Sequence, residues 1–223
     1  MVSNVKKNLG ELEKSIQGGK ARLLPVSKTF PPELIMEAYD AGYREFGENR
    51  VQEILEKRDK LPGDIRWHLI GHLQTNKVKY IADFIALIQS VDSEKLLQEI
   101  EKQAVKAGRQ ISVLLQVHIA EEEHKSGWDA AELRTWMLEG GPARYPHVLF
   151  MGLMGLATNT EDKEKVRAEF RGLAALKEEL NRQNSYSNVK MEELSMGMSQ
   201  DYRIALEEGS TMVRMGTAVF GGR

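Results

Sequence analysis

Short apolar runs alternate along the chain with longer, charge-rich amphipathic stretches. The runs are 22–28 (RLLPVSK), 43–46 (YREF), 65–71 (IRWHLIG), 84–90 (FIALIQS), 111–119 (ISVLLQVHI), 147–155 (HVLFMGLMG), 190–196 (KMEELSM) and 211–216 (TMVRMG). They are β-branched or rich in Leu and Met, and most are too short for buried helices, so they read as strands. Between them, residues 32–41, 49–60, 76–82, 93–107, 129–139, 161–181 and 199–208 read as helices. Pro31 and Pro32 suit the first turn of the earliest of these, Ser93 and Ser199 are placed as N-caps, and Gly108 and Gly209 follow last turns. Ahead of the first strand, Val2, Val5, Leu9, Leu12 and Ile16 recur at helical spacing and predict an additional amphipathic helix. Residues 140–146 read as an ordinary loop.

Eight strands with helices between them imply a parallel sheet with helical crossovers. The repeat averages roughly 27 residues, within the length of a βαβ unit. The count of eight, and the lack of a Gly-x-Gly-x-x-Gly turn after the first strand, favour an α/β fold of the closed (β/α)8 (TIM) barrel type over an open doubly wound sheet. The extra N-terminal helix is expected to cap the barrel bottom or fill a gap in its outer ring. No linker or low-complexity tract interrupts the chain, so residues 1–223 are expected to form a single domain. Pro25 breaks a local rule, because it lies inside the first strand and has no amide to donate; it demands a bulge or an unpaired amide position there.

Composition narrows the function classes. With 31 Lys plus Arg against 33 Asp plus Glu, the net charge is −2, so no basic field points to nucleic acid or an anionic membrane. The absence of Cys excludes disulfides, thiol catalysis, iron–sulfur clusters and thiolate zinc sites. No stretch approaches the ~18 apolar residues of a membrane span, and the N-terminus lacks a secretory apolar run. The expectation is a soluble cytoplasmic protein. No long exposed apolar surface is evident, which favours a monomer.

In a barrel of this kind, function belongs at the C-terminal ends of the strands. Lys28 stands there after the first strand, sharing a face with Leu24 and Val26; a lysine against apolar walls is a candidate amine nucleophile, and the alternative is a solvated lysine. After the last two strands, Ser199, Gly216 and Thr217 supply hydroxyls and a side-chain-free backbone for an anion, with Ser199 doubling as N-cap. Arg214 alternates onto the face opposite Val213 and Met215 and suits a phosphate, a carboxylate or a ring nitrogen. Asn49 serves either a ligand or a helix N-cap. His68 and His72 are four apart but do not sit on one helix, and no Glu follows His68, so a metal site is not expected. A strand histidine such as His68 is ordinarily a core residue. Lys77, Lys79 and the 121–123 acidic run read as solvated faces.

Seven motifs occur in order: Val26-Ser27-Lys28, Phe46-Gly47-Glu48-Asn49, Trp67 through Lys77, Lys125-Ser126-Gly127, Met151-Gly152-Leu153-Met154, Leu194 through Asp201, and Val213 through Gly221. Together they resemble the pyridoxal 5′-phosphate (PLP) homeostasis proteins, the YggS/PROSC family, over essentially the whole chain. The resemblance implies a fold type III PLP protein, with a barrel like the N-terminal domain of alanine racemase. It implies PLP as cofactor, held as a Schiff base on Lys28. Arg214 is implied as the partner of the pyridine nitrogen, Ser199, Gly216 and Thr217 as the phosphate cradle, and Asn49 and His68 as further pocket residues. The implied role is intracellular vitamin B6 homeostasis, in which PLP is buffered and delivered to apo-enzymes, with no classical catalytic residues. Two rivals stand beside it, a PLP-dependent amino-acid racemase of the same fold and a cofactor-free lysine aldolase-type barrel. The racemase is disfavoured because 223 residues leave no room beyond a barrel of ~250 for the extra domain that supplies its second base.

Overall fold

The computed structural model describes residues 4–19, 21–122 and 126–222. Val2, Glu123 and Lys125, which enter the sequence reading, lie outside them. The described elements are α1 (Val5–Ile16), β1 (Arg22–Pro25), α2 (Pro32–Asp40), β2 (Glu45–Glu48), α3 (Val51–Arg58), β3 (Arg66–Leu69), β4 (Leu87–Val91), α4 (Glu94–Ala107), β5 (Ile111–Val117), α5 (Ala130–Leu138), β6 (Val148–Gly155), α6 (Lys163–Gln183), β7 (Val189–Ser195), α7 (Tyr202–Glu207), β8 (Met212–Met215) and α8 (Thr217–Phe220). The strands run in the order β1-β8-β7-β6-β5-β4-β3-β2, and all their pairings are parallel. A parallel bridge between Val26 and Gly47 joins β1 to β2 and closes the circle. The eight-unit barrel read from the apolar runs is therefore the fold.

The barrel buries two separate apolar regions. Between strands and helices lies the larger one, which includes Phe46, Trp67, Ile88, Phe150 and Phe170. Inside the barrel, Leu24, Leu87, Leu114, Met154 and Met212 form a smaller plug. Helix α4 shows the mechanism: Leu96, Leu97, Ile100 and Ala104 recur at helical spacing on its buried side, and Gly108, at φ 64°, ends it in the left-handed conformation glycine tolerates. Helix α1 packs against both α2 and α8, with Asn8 Nδ2 donating to Val219 O at 3.0 Å. It thus joins the outer ring, where the four-residue α8 is too short to cover the strands alone.

The seam also accounts for Pro25. The amides of Arg22 and Val26 donate to Thr211 and Met215 of the β8 side, whereas Ser27 N–H donates to Gly47 O across the seam. By this alternation Pro25 faces β2 where no ladder has yet formed, so its missing N–H costs nothing. Gly152 has a different necessity: at φ 155°, an added Cβ would lie 1.8 Å from Glu193 O, so the bulge in β6 admits only glycine.

Several local expectations need correction. Residues 75–80 form a 3-10 helix rather than an α-helix; its greater rise per residue suits the short crossover between β3 and β4. A second 3-10 turn, Gly141–Arg144, occupies the stretch read as a loop. Ser199 is not an N-cap, since α7 starts at Tyr202 and the Asp201 carboxylate instead closes the preceding turn by accepting Met198 N–H at 2.6 Å. Nor does Asn49 cap α3, whose N-cap position is Arg50. Among the described residues, no helix is long and apolar enough to cross a membrane.

Candidate functional site

The chemistry-bearing residues gather at the C-terminal ends of neighbouring strands. In register, Leu24 of β1 faces Arg214 of β8, Val26 bridges Gly47 of β2, and Ser195 of β7 faces Met212 of β8. Continuing each strand past its end places Gly216 and Thr217 on one side of Lys28 and Asn49 on the other. Ser199 follows β7 one strand further on. Five of the seven predicted residues therefore converge as loop and terminal positions of β7, β8, β1 and β2, and Arg214 lies beneath them within β8.

Lys28 is exposed at this mouth, and among the described residues its ammonium has no partner. Of the two readings of Lys28, its exposure fits the solvated lysine just past the end of β1, which stops at Pro25. Its backbone, in contrast, is tightly held. Ser27 Oγ donates to Glu48 Oε1 at 2.6 Å, and Lys57 Nζ donates to Glu48 Oε1 at 2.6 Å and Ser27 O at 2.8 Å. On the other side, Thr29 N–H donates to Glu53 Oε2 at 2.7 Å. Burial pushes the Glu48 carboxyl up, against the pull of Lys57 and Ser27. Burial works the same way at Glu53, but there the Thr29 amide and Lys57 prevail and hold it below the usual range.

Arg214 is 4% exposed and sits inside the barrel. Its guanidinium donates to Ser195 Oγ at 2.7 Å and Gly155 O at 3.0 Å. Burial pulls it down to about 10, with Asp201 opposing, so it stays charged at neutral pH. Both bonded acceptors are neutral, and among the described residues no carboxylate pairs with it. A buried cation in this state suits a ligand that brings an acceptor.

The turn after β8 has complementary chemistry. Ser199 Oγ and Thr217 Oγ1 have no partner among the described residues, and the amides of Thr217 and Ala218 find no acceptor there either. Gly216 is not imposed by protein packing: an added Cβ would meet only Val26 atoms, at 3.4 and 3.8 Å. Its bare backbone leaves the turn open to close approach by an anion. Asn49 lines a cleft of about 570 Å³ beside the mouth, between the start of α3 and the 3-10 helix at residues 75–80.

His68 reaches the site only through intermediaries. It is 1% exposed on β3, with Nδ1 3.1 Å from Gln89 Nε2; Ser195 Oγ in turn donates to Gln89 Oε1 at 2.6 Å and accepts from Arg214. A buried relay thus runs His68–Gln89–Ser195–Arg214 through the barrel. Below it, Glu45 lies 3.9 Å from His68 Nε2 and pairs with Arg22, which also bridges to Glu193. Burial holds the His68 imidazole down at about 4, despite Glu45. The unfolded state therefore binds the extra proton between pH 6.5 and 4, and stability is expected to fall by about 3 kcal/mol as pH drops through that window. Urea unfolding of wild type and His68→Gln between pH 7 and 4.5 tests this; an equal pH slope in both proteins would refute it.

Sequence reasoning did not single out Gln89, Ser195, Lys57, Glu53 or a role for Glu48. The signals were faint: a Gln inside an otherwise apolar run, and a Lys–Glu pair four apart on α3 that reads as a solvated face. Among the described residues, no three His, Cys, Asp or Glu side chains gather in a metal-holding group.

Against known proteins, the chain matches the family model for the alanine racemase N-terminal domain over residues 2–223. It is 45% identical over 204 residues to the pyridoxal phosphate homeostasis protein of Aquifex aeolicus, covering 91% of this chain and 87% of that protein. The structure of PipY from Synechococcus elongatus with PLP bound superposes with a TM-score of 0.87 at 36% identity, covering 97% of this chain and all (100%) of that one. Alanine racemase from Bartonella henselae shares the fold, with a TM-score of 0.73 at 16% identity over 98% of this chain and 58% of the racemase. The barrel, the gathered mouth residues and these likenesses together place the chain in the alanine racemase N-terminal domain family, among the pyridoxal phosphate homeostasis proteins.

Proposed function

We propose that this protein binds PLP in the barrel mouth, holds it reversibly and covalently on Lys28, and thereby buffers intracellular PLP and delivers it to apo-enzymes. The observation that carries the reading is the buried Arg214 cation with only neutral protein acceptors, one strand from a lysine ammonium that is free among the described residues. The names of the relatives and the PLP bound in PipY support the same cofactor. PLP supplies an aldehyde that condenses with a primary amine, losing water, and is freed again by hydrolysis.

The chain's residues divide the work. Lys28 offers the amine, and its exposure keeps the attachment open to water and to exchange. Ser199, Gly216 and Thr217 receive the phosphate with two hydroxyls and backbone amides. Arg214 would be the partner of the pyridine nitrogen. A guanidinium charged at neutral pH there would disfavour protonation of that nitrogen and leave the ring a weak electron sink, which suits holding better than bond breaking at an amino acid. Asn49 borders the site, while His68 acts from below by orienting Gln89, Ser195 and so Arg214.

The test is borohydride reduction of the wild-type protein mixed with PLP, followed by peptide mass mapping. A stable adduct confined to Lys28 is expected; no adduct, or one spread over surface lysines, would overturn the reading. Sustained α-proton exchange from amino acids in deuterated water would move it to catalysis.

A further inference from the structure

We infer that Glu53 and Lys57, one turn apart on α3, are positioning residues for Lys28: they pin the two peptide groups on either side of its Cα and so aim its amine into the mouth. The inference rests on the assignment of Lys28 as the attachment point. It begins from a mismatch. Lys28 is a flexible, exposed side chain just past the end of β1, where neither ladder bonds nor packing fixes its direction. Its flanking peptides are nonetheless bonded to one helix. The carbonyl of the Ser27–Lys28 peptide accepts from Lys57 Nζ at 2.8 Å and, closing the turn, from Phe30 N–H at 3.1 Å, and the N–H of the Lys28–Thr29 peptide donates to Glu53 Oε2 at 2.7 Å. Glu53 and Lys57 also meet each other at 3.4 Å.

The backbone between these two anchors is not relaxed. Thr29 has φ 64°, a left-handed conformation that a β-branched residue adopts only when its surroundings impose it. The Glu53 bond to its amide supplies part of that constraint. Lys57 is itself fixed by the fully buried Glu48 Oε1, which Ser27 Oγ also engages. Strand ends β1 and β2 and helix α3 therefore meet in one polar cluster whose bonds converge on the peptides around Lys28, while its amine is left untouched. Because the cluster contacts only backbone there, its effect is on the direction of the amine and not on its charge partners.

Lys57→Met is the obvious variant but strips a buried carboxylate of its counter-ion and threatens folding, so the decisive pair is Glu53→Ala and Glu53→Gln. Glu53 is on the cluster's rim, with 21% of its side chain exposed. In Glu53→Ala, borohydride trapping of PLP on Lys28 is expected to slow roughly 10- to 100-fold, the scale of a small misalignment of reacting groups. The affinity for pyridoxine 5′-phosphate, which has the phosphate and ring but no aldehyde, should stay within about twofold, since its contacts are not Glu53's. Glu53→Gln retains an acceptor for Thr29 N–H and should restore the trapping rate. Hydrogen exchange of the Thr29 amide, measured without cofactor, should speed up in Glu53→Ala and recover in Glu53→Gln. Wild-type trapping rates in Glu53→Ala, or a parallel loss of pyridoxine 5′-phosphate binding, would overturn the positioning role. Absence of any Lys28 adduct in wild type would instead remove the function proposed above, and the exchange measurement would still decide whether Glu53 holds the Thr29 peptide.

Discussion

Lys28→Ala is expected to abolish the borohydride-stable PLP adduct completely while leaving the folded protein as stable as wild type. The two halves of that result have separate causes. The adduct disappears because the amine is gone, and among the described residues no other lysine occupies the end of β1 beside the Gly216–Thr217 turn. Stability is untouched because the Lys28 side chain is exposed and makes no described contact; substitutions of this kind usually stay within about 0.5 kcal/mol. The residues proposed to receive the phosphate and Arg214 also remain, so pyridoxine 5′-phosphate should bind Lys28→Ala with an affinity within roughly threefold of wild type, under about 1 kcal/mol. Isothermal titration with that analogue, beside mass mapping with PLP, reads both. A wild-type adduct yield in Lys28→Ala would refute the attachment point, and a collapse of analogue binding would show that Lys28 holds the ligand by charge rather than by covalent capture.

The second large effect is on folding. Lys57→Met should destabilise the protein by about 3–5 kcal/mol, the cost of leaving one member of a buried ion pair alone. Lys57 is 7% exposed and Glu48 not at all, and Glu48 Oε2 already has no hydrogen-bond partner. Methionine fills similar volume and keeps the apolar stem, so the loss is electrostatic and not a cavity. Burial already pushes Glu48 up; without Lys57 it rises further. A carboxyl raised in the folded state binds a proton that the unfolded chain has released, so the deficit grows as pH climbs above the ordinary carboxyl value and shrinks in acid. The variant should therefore lose more stability at pH 8 than at pH 5, and adding Glu48→Gln should recover most of it. Urea denaturation at the two pH values checks this; a deficit below about 1 kcal/mol at pH 8 would mean that Glu48 is neutral in the wild type.

Both expectations depend on residues that the sequence presents unequally. Lys28 was legible because a strand end in a barrel is a defined place, and its two neighbours in alternation, Leu24 and Val26, are apolar. Its exposure was not legible, since alternation reports which face a residue shares but not where the strand stops. Ser199 illustrates the same limit: a Ser ahead of a helical stretch resembles an N-cap, yet Asp201 closes the turn and frees the Ser199 hydroxyl. The buried hydrogen bonds of Lys57 and Gln89 left no mark in the sequence. A lysine on an amphipathic helix and a glutamine in a strand declare their burial only when the elements pack.

By itself, the sequence determined the eight-unit barrel, the extra N-terminal helix and the seven motifs, because apolar periodicity, capping signals and motif order are local properties written into neighbouring residues. It also put the candidate residues Lys28, Asn49, Ser199 and Thr217 after β1, β2, β7 and β8. Only the tertiary structure decided how those ends are joined. The seam at Val26–Gly47 tolerates Pro25 and sets Lys28 between Gly216 and Asn49. The relay from His68 to Arg214 crosses the barrel through residues 68, 89, 195 and 214, and the cluster behind Lys28 draws on residues 27, 48, 53 and 57. The physical reason is common to all three: burial and hydrogen bonding depend on which side chains are brought within about 3 Å of each other, and that distance is unrelated to their separation along the chain.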